Sequence, residues 1–395
     1  MAKMTIRDVD VRGKRVLVRV DYNVPMTKDG KITDDSRIRA TLPTINYLIE
    51  RGARVILISH LGRPDGKVVN EYRLTPVAQR LSQLLGQQVG VATDCIGPEV
   101  EKSVETLKSG HVLLLENLRF HPDEETGSPE FAKALARLGD IFVNDAFGTS
   151  HRAHASISGI AKYLPAVAGF LLEKEITFLG HVLENPARPF AALIGGAKIS
   201  DKVKMLERIT DKVDFLLIGG GMAATFLKAK GLEIGKSLFE VERLQVANNL
   251  IEKASRNGFK LILPVDVLVA DSVSPNATVE TVSIEKIPPD KMIVDIGPRT
   301  IEEFTNVLEQ CKTVFWNGPM GIYEVEKFST GTKTLVKVLS TLQATTIVGG
   351  GSSAEVVADM GLVDKMTFVS TGGGASLSFV SGEKLPGVEA LNDKK

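Results

Sequence analysis

Four times along the chain an apolar run is released directly into glycine: AALIGG ends at Gly196, FLLIGGG at Gly221, TTIVGGG at Gly351 and FVSTGGG at Gly374. A short continuous apolar run reads as a strand buried on both faces, and such strands belong to parallel sheets covered by helices. Glycine at the end of such a strand lets backbone approach a neighbour or a ligand closely, because no Cβ holds it off. A shared rim of strand ends accounts for four such turns better than four unrelated loops. The richest is Ala191–Val203, AALIGGAKISDKV, where Lys198, Asp201 and Lys202 open an amphipathic segment straight after Gly195 and Gly196. Read as strand, bare turn and helix start, it aims exposed amides and two ammonium groups at one small space, which suits a phosphate. A tight βα turn with a surface lysine is the plainer reading, and the stretch alone does not separate the two. Its spacing is not that of a Walker A loop.

A chain of 395 residues is long for one core, so two domains are expected. Low aromatic content (6%) and 36 glycines agree with parallel α/β sheets. The formal net charge of zero argues against a general nucleic-acid binder. The charge is nonetheless uneven, since 14 of the 19 arginines fall within Met1–Leu172 and leave that part about three charges positive. Arginine grips carboxylate and phosphate with two parallel hydrogen bonds, so the skew points to a small anionic substrate there. Cys95 and Cys311 stand isolated in the sequence, with no disulfide framework or thiolate metal spacing. MAKMTIRDVDV lacks the apolar core of a signal peptide, and no window approaches a membrane span, so a soluble cytoplasmic protein is expected.

Along the first part, strands are expected at Arg15–Val20, Arg54–Ser59, Val89–Ala92, Val112–Leu115 and Ile141–Val143. Helices are expected from about Arg37 to Glu50, with Ser36 as cap and Pro43 bending or restarting it, and over Thr75–Leu85, Pro98–Lys108 and Pro129–Leu138. Between Gly169 and Pro189 one long helix fits, closed by Asn185-Pro186 and read as a connector between domains. Strands then recur at Ala191–Ile194, Phe215–Ile218, Leu261–Leu263, Met292–Val294, Thr313–Trp316, Thr345–Val348 and Met366–Val369. Asp271–Lys291 reads as an irregular excursion or small hairpin. Residues beyond Gly374 are too few to fold alone and must dock on existing surface.

Polar payloads gather just beyond the strand ends, where open α/β sheets bind ligands. In the first part they are Asp21, Asn23, His60, Arg63, Arg119, His151, Arg152 and His154. Arg37 opens a helix, where the dipole disfavours its charge unless an anion is near. Taken singly, any of these arginines also reads as a solvated surface charge. HRAH invites a metal reading, with Asp145 nearby, but two histidines need a third ligand of defined geometry, and the surrounding arginines repel a cation. Imidazoles, neutral or charged, that help hold an anion fit better. No G-x-S-x-G elbow is present, and no clean G-x-G-x-x-G follows the first strand. In the second part Trp316-Asn317-Gly318-Pro319-Met320-Gly321, trailed by Glu324, reads either as a nucleoside contact or as a capped surface loop. One arginine-rich anion site, one phosphate site of glycine and lysine, and a connector make the plan of a two-domain phosphoryl-transfer enzyme. In such an enzyme charge is neutralised and water excluded by closing the halves.

The ordered set RVDYNVP (19–25), SHLGRP (59–64), LLENLRF (114–120), NDAFGTSHRAH (144–154), GGAK…DK, LPVD (263–266), WNGPMG (316–321) and STGGGAS (370–376) resembles the phosphoglycerate kinase family along nearly the whole chain. The resemblance implies two Rossmann-like, three-layer parallel-sheet domains: a phosphoglycerate-binding domain over 1–172, a helical linker and hinge over 173–189, and a nucleotide-binding domain over 190–374. A segment over 375–395 would return to the first domain. It implies direct in-line transfer between 1,3-bisphosphoglycerate and ADP, giving 3-phosphoglycerate and MgATP, by a cytoplasmic monomer with no nucleic-acid or membrane partner. Asp21, Asn23, His60, Arg63, Arg119 and Arg152 would hold the glycerate ligand, and Arg37 would reach the transferring group. Lys198, with the amides of Gly350 and Gly351, would stabilise that group in passing. Lys202 would hold nucleotide phosphates, Gly195, Gly219 and Gly220 would shape the adenine side, and Asn317, Pro319 and Glu324 would line the nucleoside.

One departure stands out. The family usually follows the third glycine run with Asp and then Ser or Thr, and that aspartate helps hold the nucleotide's magnesium; here the positions are Ser352 and Ser353. Serine offers Mg²⁺ no charge, so the metal would be held mainly by nucleotide phosphates and water, and by no metal ligand of the protein itself. Tyr22, where phenylalanine is usual, is tolerable because both rings pack. A kinase of another small carboxylate, or a nucleotide-binding protein catalytically weakened by Ser352, stays open as an alternative.

Overall fold

The computed structural model describes residues 2–394. The chain divides into two compact units, Met1–Thr177 with Lys384–Lys395, and Phe178–Glu383. The first unit carries β1 (Arg15–Arg19), β2 (Arg54–Ile58), β3 (Val89–Val91), β4 (Val112–Leu114), β5 (Ile141–Asn144) and β6 (Ala166–Ala168). They form one sheet in the order β3-β4-β2-β1-β5-β6, with every pairing parallel. Apolar side chains point to both faces of its central strands, as a sheet covered on both sides requires. On one face Val16, Val18, Val55 and Leu57 pack against Ile38, Ile45 and Leu48 of the helix Ser36–Glu50 and Val77 and Leu81 of the helix Thr75–Leu85.

Ser36 is not the cap of its helix. The helix starts at Ser36, Asp35 takes the cap position, and the Asp34 carboxylate accepts from Ser36 N at 2.8 Å and Ser36 Oγ at 3.0 Å. Pro43 neither stops nor restarts this helix. It lies on the exposed face, where water can satisfy the carbonyl left without an amide donor.

The second unit carries β7 (Phe190–Ile194), β8 (Phe215–Ile218), β9 (Lys260–Ile262), β10 (Asp266–Ala270), β11 (Val279–Ser283), β12 (Met292–Ile296), β13 (Thr313–Asn317), β14 (Thr345–Gly349) and β15 (Phe368–Val369). Its main sheet runs β15-β14-β13-β7-β8-β9, again wholly parallel. One expectation fails here. The strand at Met292 does not join this sheet but pairs antiparallel with β10, and β11 completes a separate three-stranded sheet in the order β11-β10-β12. The stretch read as an excursion or small hairpin supplies β11, the second strand of an antiparallel hairpin with β10; it is mostly exposed, which explains its polar composition.

The long helix spans Phe170–Glu184, and Asp145 Oδ1 caps its first turn by accepting from Leu171 N at 2.9 Å and Leu172 N at 3.2 Å. At the other end of the chain, the helix Gly374–Val380 belongs to the second unit, and Lys384–Lys395 to the first. That last segment continues the pairing beyond β6. Asn392 N donates to Ala166 O at 2.9 Å, Ala166 N returns a bond to Asn392 Oδ1 at 2.7 Å, and Asn144 Nδ2 donates to Gly387 O at 2.9 Å. Leu385, Val388 and Leu391 are buried by it. Truncating Leu391 to Ala is expected to cost about 2–4 kcal/mol through lost burial and the cavity left behind. Urea unfolding followed by a probe in the first unit measures this, and an unchanged midpoint contradicts the docking described.

Candidate active site

The four central strands of the first sheet, β4-β2-β1-β5, are consecutive neighbours, and each ends in one of the polar segments. Parallel running therefore delivers Asp21 and Asn23, His60 and Arg63, Arg119, and His151, Arg152 and His154 to one rim. Asp21 Oδ2 accepts from Arg37 Nη1 at 2.9 Å, so the cation at the helix start is met by a carboxylate of the protein. Asn23 Oδ1 accepts from Gly62 N at 2.9 Å, and Arg119 Nη1 donates to Gly62 O at 2.9 Å. Asn117 fastens these loops together: its Nδ2 donates to Leu61 O at 2.8 Å and Tyr72 O at 2.9 Å, while Oδ1 accepts from Arg119 N at 3.1 Å. Arg119 is buried, and its Nε lies 3.3 Å from Glu125 Oε1 without the alignment of a hydrogen bond. Arg63 is exposed on its loop.

Behind this rim sits a charge the sequence reading did not single out. Arg19, the last residue of β1, is 1% exposed. Its Nε donates to Ser156 Oγ at 2.9 Å, Ser156 Oγ donates to Glu124 Oε1 at 2.5 Å, and its Nη1 donates to Val20 O. Its Nη2 lies 3.1 Å from His60 Nδ1. A guanidinium only donates, so Nδ1 accepts and the ring proton sits on Nε2. Burial first, then the charges of Arg19, Arg119, Arg152 and Arg37, hold the His60 pKa well below its usual value. His154 is pushed down to about 4 by burial first and then by the charges of Arg119, Arg152 and Arg19. Of the imidazole states the sequence left open, the neutral one holds for both at neutral pH. Asp145 Oδ1 is bonded to the first turn of the helix at Phe170, while its Oδ2 is buried without a hydrogen-bond partner.

In the second unit the strands β15-β14-β13-β7-β8 are likewise neighbours, so the four glycine turns and the Trp316–Gly321 loop share one rim. The glycines serve close packing of backbone on backbone. A Cβ on Gly195 would overlap Pro319 O, and one on Gly318, whose φ is 97°, would overlap Gly195 O. Lys202 is buried against Asn317, donating from Nζ to Asn317 O at 2.9 Å and to Asn317 Oδ1. Burial lowers its pKa to about 8. Gly350 and Gly351 open the helix Gly351–Asp359, whose first turn holds no acidic residue. Ser353 is buried there, its Oγ accepting from Gly318 N at 2.7 Å, while Ser352 is exposed. Glu324 and Lys198 are both exposed.

Of the amides expected to be free at Ala191–Val203, those of Gly195, Gly196, Ile199 and Ser200 are already committed. Gly195 N donates to Asn317 O at 3.0 Å, Gly196 N to Pro319 O at 2.9 Å, and Gly220 N to Met320 O at 2.9 Å. The helix starts only at Val203, after Lys202. The intervening loop already has its anion: Glu240 Oε2 accepts from Ile199 N at 2.6 Å and Ser200 N at 3.1 Å. With these amides committed to carbonyls and a carboxylate, Lys198 and Lys202 carry the positive charge of this stretch.

Comparison with known proteins finds likeness along the whole chain. The family model for phosphoglycerate kinase matches residues 6–383. The chain is 54% identical over 394 residues to a phosphoglycerate kinase of Moorella thermoacetica and 53% identical to that of Pelotomaculum thermopropionicum, with all of each chain covered. The chain belongs to the phosphoglycerate kinase family. Among solved structures, the phosphoglycerate kinase from Coxiella burnetii matches with a TM-score of 0.88 at 43% identity, and that from Pyrococcus horikoshii with 0.85 at 35%, each covering 98% of both chains.

Against the phosphoglycerate kinase motifs, the residues missed by sequence reasoning are Arg19, Glu124 and Ser156 in the first unit and Glu240 in the second. Arg19 carried a signal, since a charge inside the apolar strand RVLVRV needs a buried partner. Glu240 carried none, lying 41 residues from the amide it holds. Replacing Glu240 by Ala removes both bonds to the Lys198 loop. Hydrogen exchange at the amides of Ile199 and Ser200 is expected to speed up by roughly tenfold or more, from the strength of bonds to a charged acceptor. Unaltered protection contradicts the role given to Glu240.

Proposed function

We propose that this chain carries out the phosphoryl transfer of its family, between 1,3-bisphosphoglycerate and ADP, with the first rim holding the glycerate ligand and the second the nucleotide. The observation that carries the assignment is the convergence of Asp21, Asn23, Arg37, His60, Arg119 and Arg152 at the ends of four adjacent strands. Such a rim suits a small molecule bearing a carboxylate and a phosphate. Guanidinium groups pair with both, the neutral His60 donates from Nε2, and Asp21 and Asn23 accept from a hydroxyl. Arg63, exposed beside them, completes the set.

In-line transfer requires the acyl phosphate and the terminal phosphate of the nucleotide to meet end to end, with charge neutralised and water absent. Arg37 and Lys198 neutralise the transferring group, and the first-turn amides of the helix at Gly351, which have no intrahelical partner, offer it hydrogen bonds. Lys202 takes the nucleotide phosphates, the packed glycine turns at Gly195, Gly219 and Gly220 give a flat wall for the adenine, and Asn317, Pro319 and Glu324 border the ribose. No covalent enzyme intermediate is needed. Magnesium, when it arrives with the nucleotide, supplies further charge neutralisation. The first turn of the helix Gly351–Asp359 offers it the Ser352 hydroxyl and no carboxylate. That donor set fits a cation bound mostly by phosphate oxygens and water. The enzyme acts as a monomer in the cytoplasm; among the described residues no helix is long and apolar enough to cross a membrane.

An assay supplying 3-phosphoglycerate, ATP and Mg²⁺ tests the reaction. The wild-type chain should form 1,3-bisphosphoglycerate, and Lys198→Ala should lose about 100-fold or more in kcat, the scale of one lost transition-state donor. Nucleotide binding without turnover would favour the reading of a catalytically weakened nucleotide binder, the one Ser352 supports. Activity in Ser352→Asp should saturate at lower Mg²⁺ than in the wild type, and superimposable titrations contradict the account of the metal. Lys202 adds a pH signature. With its pKa lowered to about 8 before ligand binds, and nucleotide phosphates favouring the ammonium form, ADP binding takes up protons as pH rises through about 8 and weakens over that same range. Calorimetry in buffers of different ionisation heat should show this uptake in the wild type and not in Lys202→Met; a buffer-independent heat contradicts it.

A further inference from the structure

Cys95 is isolated in the sequence but not in the fold. β3 and β4 are parallel neighbours at one edge of the first sheet, so the segments leaving their ends run side by side. One brings Asp94 and Cys95, the other His121 just past the short turn Leu118–Phe120. His121 Nε2 lies 2.7 Å from Asp94 Oδ1, and with Cys95 Sγ the three atoms fall within 4.8 Å of one another. Both neighbours of the cluster are held. Cys95 N donates to Asp94 Oδ1 at 2.7 Å, and the His121 ring packs on Phe131 with centroids 5.3 Å apart. Cys95 is fully buried while Asp94 and His121 are partly exposed, so the cluster has a closed inner wall and an outer side open to solvent. None of the three belongs to the ligand rim.

We propose that Asp94, Cys95 and His121 form a binding site for a zinc-like divalent cation. One sulfur, one imidazole nitrogen and one carboxylate oxygen are three of the four positions of a tetrahedral site, and water entering from the open side supplies the fourth. The mixed donors select zinc or cobalt over magnesium and calcium, which take oxygen ligands. On binding, the Cys95 thiol gives its proton to solvent as the metal–sulfur bond forms. His121 turns its Nε2 lone pair to the metal with its proton on Nδ1, exchanging the hydrogen bond to Asp94 for coordination.

Titrating the reduced, nucleotide-free full chain with Co²⁺ tests this directly, because a thiolate–cobalt bond absorbs in the near ultraviolet and an oxygen site does not. One equivalent should bind with that band, Zn²⁺ should abolish it, and Cys311→Ser should keep it. Cys95→Ser should lose it, and His121→Ala should bind cobalt at least about tenfold more weakly. His121 is partly exposed, so its variant decides the matter even where Cys95→Ser fails to fold. Absence of the band in the wild type, or an unchanged band and affinity in His121→Ala, overturns the proposal.

Discussion

Arg19 closes the central strand of the first sheet with almost no water around it, and its charge fixes the state of its neighbours. A buried guanidinium is tolerated only where its donors are met, and here Ser156, the Val20 carbonyl and His60 meet them, with Glu124 behind Ser156 as the compensating charge. His60 is thereby held neutral with Nδ1 occupied, which fixes Nε2 as its donor. Arg119 and Arg152 add to the same field, so the rim is strongly positive yet rigid. A preorganised positive surface is what a small dianion needs in order to bind without the cost of rearranging side chains.

The second rim is built on a different economy. Its glycines let the loops at Gly195, Gly220 and Gly318 pack backbone to backbone, with the amides of Gly195, Gly196 and Gly220 donating to carbonyls of Asn317, Pro319 and Met320. Positive charge comes instead from lysines on the loop that Glu240 pins. Lys202 rests on Asn317, and burial lowers its pKa to about 8. Hard arginine pairing on one rim and adjustable lysine on the other suit a resident carboxylate-phosphate ligand and a nucleotide that arrives with its own cation.

Much of this was legible in the residues. The apolar runs fixed the parallel strands because burial on both faces leaves no other composition for them, and polar payloads at strand ends marked the rim. The β10–β12 sheet was not legible, since Met292–Val294 has the same apolar character whichever partner it takes. Which amides of Ala191–Val203 are already taken was not legible for a related reason: backbone donors are chemically alike, and only the fold reveals that Asn317, Pro319 and Glu240 occupy those of Gly195, Gly196, Ile199 and Ser200. Ser36 was misplaced because Asp34 and Asp35 compete for the same helix end. Long-range partners such as Glu240 and the Asp94–His121 pair leave no local pattern.

The central claim is that the two rims bind their ligands separately, each through its own residues. Calorimetric titration of the full chain with 3-phosphoglycerate and, independently, with MgADP tests it most directly, using Arg152→Met and Lys202→Met. The account predicts that Arg152→Met weakens 3-phosphoglycerate by about tenfold or more, the scale of a lost charge-assisted hydrogen bond, and leaves MgADP unchanged, with the reverse for Lys202→Met. Equal loss of both ligands in either variant, or no loss in both, would contradict it.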